Sequence, residues 1–131
     1  MSDKRRRRTL VVDETTTYVW TVRHLHGDGQ PCREILTLHR DGRRTRIVFR
    51  DGEGRYSGGG AYTHSGGVGD RRHHLNLHEP AVVRAFVDEA VERGLLPLDG
   101  ELDGWELFTA VALSRAAAAT PAAPPDCPPG P

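Results

Sequence analysis

With 131 residues the chain has room for one domain. Its hydrophobic share of 37% falls below the usual ~45%, so any core is thin, and no run of about twenty apolar residues is present to cross a membrane. Eighteen Lys/Arg balance eighteen Asp/Glu, which excludes a global basic field and restricts any anion binding to a local patch.

The charge is unevenly placed. Residues 1–78 hold 15 Lys/Arg against 9 Asp/Glu, and residues 79–131 hold 3 against 9. Lys4 is the single lysine, a bias that fits a GC-rich genome and says nothing of function. The basic stretch Lys4–Arg8 is followed by no apolar signal-peptide core. Cys32 and Cys127 form no disulfide framework, so a reducing cytoplasm is the expected location.

In chain order, residues 1–7 read as a disordered basic arm, 8–114 as a single α+β domain, and 115–131 as an Ala/Pro-rich disordered tail. Thr9–Val12 is a short β-rich run. Thr16–His26 alternates, with Tyr18, Trp20 and Val22 on one face and Thr17, Thr21 and Arg23 on the other. Arg33–Arg40 and Arg43–Arg50 are strands joined by Asp41-Gly42, a two-residue hairpin turn. That turn sets Leu36 opposite Ile47 and Leu38 opposite Thr45, with Phe49 on the same side. The other side then carries Arg33, Thr37, His39, Arg44, Arg46 and Arg50 around an Ile35–Val48 pair. Residues 51–72 are glycine-rich and irregular, with a fifth short strand expected near 60–64 and another over Arg72–Leu77.

The period then changes from 2 to 3.6. Val82, Val83, Phe86, Val87, Ala90 and Val91 form an apolar stripe, Pro80 suits its first turn and Gly94 its end. Leu95–Gly104 reads as a connection, and Trp105, Phe108 and Val111 fit a second helix over 104–114, with a short strand at Trp105–Phe108 as the alternative. The expected fold is therefore α+β. A four- to five-stranded antiparallel meander (about 9–64) is covered on one face by a C-terminal amphipathic helix (about 79–94) and a second short helix (about 104–114).

Seven histidines invite a metal or catalytic reading, but no spacing matches a zinc pattern even when His24 and His26 are taken with either Cys32 or His64. A matched register of the second and third strands sets His24 across from Glu34, the arrangement that orients an imidazole for acid–base work and equally that of an ordinary cross-strand pair. No nucleophile elbow or Cys/His signature accompanies it. The glycine runs at 58–60 and 66–67 lack the lysine and the following helix of a phosphate loop. No catalytic residue, metal or cofactor is expected.

The arginine face remains. Arg23, Arg33, Arg44, Arg46 and Arg50, with His39, are the expected binding residues, because guanidinium forks suit carboxylates and phosphates. Their bland role is a solvated face that blocks strand aggregation. The leading functional expectation is a small non-enzymatic protein-interaction or regulatory accessory domain with an as yet unidentified protein partner and no membrane. A weak nucleic-acid binder using the arginine face and basic arm comes second, and a His-dependent enzyme or metal protein third.

Overall fold

A computed structural model describes residues 7–27, 29–57, 66–96 and 99–119. The chain runs β1 (Arg8–Asp13), β2 (Thr16–Gly27), β3 (Gln30–Arg40), β4 (Arg43–Arg50), β5 (Arg55–Ser57), β6 (Gly67–Asp70), β7 (His74–Asn76), α1 (Pro80–Glu92), β8 (Gly100–Asp103) and α2 (Trp105–Ala119). Strands β1-β2-β3-β4-β8 form a five-stranded, mostly antiparallel sheet, and β5-β6-β7 a separate three-stranded one. With two helices packed on the main sheet, the fold is α+β.

The β3–β4 hairpin follows its turn chemistry. Asp41 and Gly42 both take positive φ, 54° and 78°, the twist that a two-residue hairpin requires. The register pairs Arg40 with Arg43, Leu38 with Thr45, Leu36 with Ile47 and Glu34 with Phe49, as the alternation predicts. Trp20, Leu36, Leu38, Ile47 and Phe49 point to the inner face and are buried in one cluster with Val83, Phe86, Val87 and Ala90 of α1. Phe49 meets Phe86 and Trp105 edge-on, each at 5.3 Å between ring centroids, and so joins sheet to both helices.

Helix α1 begins with Pro80 at its N-terminus and closes in a Schellman motif. Gly94, at φ 76°, donates to the Val91 carbonyl, and Leu95 donates to that of Ala90. Val91 is 51% exposed, although the sequence places it on the apolar stripe. Nine residues beyond Val82, at about 100° per residue, it has turned about 180° from that side chain and off the buried face.

The fifth strand of the main sheet is β8, in a segment expected to be a connection, and it runs parallel to β4. A parallel neighbour needs a crossover, here supplied by the small sheet and α1. The segment Gly-Glu-Leu-Asp carries a single apolar side chain, too little for periodicity to register. Arg72–Leu77 contains β7, in the small sheet. The strand expected at 60–64, with Tyr62 and His64, lies outside the described residues, as do residues 1–6 and 120–131 of the expected tails. Of the helix expected over 104–114, Gly104 is a turn residue, and α2 runs from Trp105 to Ala119.

Candidate functional site

Two constellations carry chemistry, one on each face of the main sheet. On the outer face a groove of about 220 Å³ crosses the strands. Its floor is Thr21 and Thr37, neighbours across β2 and β3. Its walls are Arg7 ahead of β1, Arg23 on β2, His39 on β3, and Arg44 and Arg46 on β4, with Leu25 and Ile35 at one end. Period-2 geometry puts these side chains on one side of the sheet.

Among the described residues no carboxylate lines the groove. Arg7, Arg23, Arg44 and Arg46 are exposed and make no ion pair among the described residues. Two acids neighbour the groove arginines on that edge: Asp99, whose carboxylate accepts the Arg44 backbone N–H at 3.2 Å, and Glu101, beside Arg46 on β8, whose carboxylate bonds Arg50 at 3.0 Å. Asp103 follows on the same strand and accepts the Trp105 N–H at the start of α2. Four guanidiniums thus surround one groove, and a row of acids borders it on the β8 side.

Of the six residues expected from sequence, Arg23, Arg44, Arg46 and His39 come together in this groove. Arg33 lies opposite Arg50 near the other end of the hairpin, outside the groove lining. Arg50 is engaged twice: its guanidinium by Glu101, and its carbonyl by the Trp105 indole N–H at 2.8 Å. Sequence reasoning did not single out Arg7 or the two threonines as site residues. Thr21 and Thr37 were already on the arginine face of the alternation, where their shortness was the available signal.

The inner face holds the second constellation. His24 and Glu34 are register partners, and Nδ1 of the imidazole lies 2.8 Å from Oε1 of the carboxylate. Glu34 is fully buried, and its other oxygen accepts the Gly66 N–H at 2.5 Å. Burial pushes the Glu34 carboxyl above its ordinary pKa, opposed by the hydrogen bonds from His24 and Gly66 and by the nearby charge of His78. The His78 ring packs on Gly66, where an added Cβ would overlap it. The structure therefore brings His24, Glu34 and His78 into one neighbourhood. His64 and the side chain of His26 lie outside the described residues. Among the described residues no group of three or more His, Cys, Asp or Glu could hold a metal ion, and no helix is long and apolar enough to cross a membrane.

Compared with protein families, with curated proteins and with solved structures, the chain matches none.

Proposed function

We propose that this domain is a non-enzymatic interaction module that binds an acidic segment of a protein partner on its outer sheet face. The observation that carries the reading is the groove of four arginines with no carboxylate in its lining among the described residues. Exposed cations grouped in this way repel one another, and an anionic partner relieves that repulsion while steering association. Glu34 and His24 support the same reading from the other side. Both oxygens of Glu34 are taken up by the fold, one tying β2 to β3 and the other holding the turn at Gly66.

A nucleic-acid backbone is the second candidate for the same face. Arg44, Arg46 and Arg50 project from alternate positions of β4, a spacing that could follow a row of phosphates. Val48 interrupts that row, Arg50 is neutralised by Glu101, and Asp103 lies alongside, so the cations are concentrated at one spot. A protein partner of mixed charge fits an arginine groove with an acidic border better than a polyanion does.

Fluorescence anisotropy with a labelled Glu/Asp-rich peptide and a labelled single-stranded oligonucleotide, at about 50 and about 200 mM salt, tests the choice. The expected result is tighter binding of the peptide, weakened by salt and abolished in the Arg23→Ala/Arg44→Ala/Arg46→Ala variant. Peptide affinity unchanged by that triple substitution removes the reading.

A further inference from the structure

We propose that the trough over Thr37 is a site for a phosphate monoester carried on a protein segment, so that the outer face reads a phosphorylated side chain. The inference rests on the reading above, that this face takes an anionic protein partner, and it names the group recognised.

Across the sheet, Thr21 stands beside Thr37 and Thr37 beside Arg46. Arg8 pairs with Trp20, which brings Arg7 to the Thr21 end of the row, where it lines the groove. Arg44 flanks the row on β4, and Arg23 flanks it on β2. Two short hydroxyl side chains therefore lie between long cationic ones. Both threonines are buried, at 6% and 8% exposure, although they point away from the core. An anion seated there meets hydroxyl donors below and guanidinium forks at the sides.

The candidate anions differ in how many of those donors they can use. A carboxylate has two oxygens in one plane and a single charge, so it satisfies one or two forks. A phosphodiester also has two free oxygens and one charge. A monoester presents three terminal oxygens in a tetrahedral arrangement and carries close to two charges near neutral pH. It can accept from guanidiniums on opposite walls and from a threonine beneath with a separate terminal oxygen for each. The groove volume, about 220 Å³, admits such a group with the side chain that bears it.

The test uses the full chain and three labelled peptides identical except for a central phosphoserine, glutamate or serine. A 5′-phosphorylated oligonucleotide and inorganic phosphate form further arms. The expected outcome is phosphoserine binding at least about tenfold tighter than glutamate, the scale of one charge-assisted hydrogen bond. Thr37→Val and Arg46→Lys should each lose most of that preference while melting as the native chain does. Amide shifts on binding should centre on Thr21, Thr37 and Arg46. Inorganic phosphate should displace the peptide only at far higher concentration. Equal affinity for the phosphoserine and glutamate peptides overturns the phosphate assignment and leaves the acidic-partner reading standing. An oligonucleotide that outcompetes the phosphopeptide, or inorganic phosphate that binds as tightly, overturns the assignment to a protein segment. Failure of all peptides to bind removes both readings.

Discussion

His24 on β2 and Glu34 on β3 meet across the inner face of the sheet at 2.8 Å, where the carboxylate has no contact with solvent. Burial raises the pKa of Glu34 above its ordinary 4.5. For an acid raised by folding, the contribution to stability is complete below the unfolded value and is lost as pH rises through the folded one. The native chain should therefore gain stability relative to Glu34→Gln as pH falls from neutrality toward 4.5. Glutamine keeps an acceptor for the Gly66 N–H and does not titrate. Urea midpoints of the two proteins at neutral pH and at about pH 5 read the effect. A difference that does not move with pH would sink it.

Removing the imidazole alone strands the carboxylate. His24→Ala should cost about 1–3 kcal/mol at neutral pH, because among the described residues Glu34 then retains only the Gly66 N–H as a hydrogen-bond partner. The double variant His24→Ala/Glu34→Gln should recover most of that loss, since no charge remains to be desolvated. Additive losses in the double-mutant cycle would show that the two groups do not act as a pair.

The sequence was most legible where local chemistry and side-chain period agreed. Asp41-Gly42 gave the hairpin, and the hairpin gave the Leu36–Ile47 and Ile35–Val48 pairs and therefore the arginine face. The same alternation placed His24 opposite Glu34. It could not show that Glu34 is buried, because the Gly66 N–H that helps hold it comes from a segment distant in sequence. Strand β8 was illegible for a different reason. Its pairing with β4 is parallel and non-local, and three of its four residues are glycine or acidic. The acidic border of the groove was hidden with it, since Glu101 and Asp103 acquire their positions only from that pairing. Arg7 was hidden by its basic neighbours, which read together as a solvated arm.

Trp20 presents an unusual core donor. Its side chain is 1% exposed, and the indole Nε1 has no hydrogen-bond partner among the described residues. A stranded donor costs about 1–3 kcal/mol, so Trp20→Phe removes a penalty while it removes volume. The ring that Arg8 covers at 4.9 Å is kept in aromatic form. The variant should lose no more than about 1 kcal/mol, against about 3–5 for Trp20→Ala. Chemical denaturation of the two variants checks the contrast. A phenylalanine as costly as alanine would mean that the indole N–H has a partner in solution.

Gly104 joins β8 to α2 beneath the ring of Phe49. A Cβ there would overlap that ring, which is itself fixed edge-on between Phe86 and Trp105. Gly104→Ala should therefore destabilise by about 1–3 kcal/mol through overpacking. Gly52→Ala, where nothing lies within 4 Å and φ is not positive, should change stability little. Comparable losses from both would show that the overlap with Phe49 does not set the cost, since the lower entropy of the unfolded alanine chain acts in the stabilising direction at each site.

Glu101 controls how much positive charge the outer face presents. Its bond to Arg50 is between half-exposed side chains, and such pairs contribute at most about 1 kcal/mol to stability. Glu101→Gln should therefore melt almost as the native chain does. It frees Arg50 and removes the carboxylate nearest Arg46 by register, so an acidic peptide should bind several-fold more tightly, with a steeper dependence on salt. Glu106→Gln makes the same change in net charge on helix α2 and should leave peptide affinity nearly unchanged. If both substitutions strengthen binding equally, the face acts through net charge, and the arrangement of Arg23, Arg44 and Arg46 around the threonines has no part in recognition.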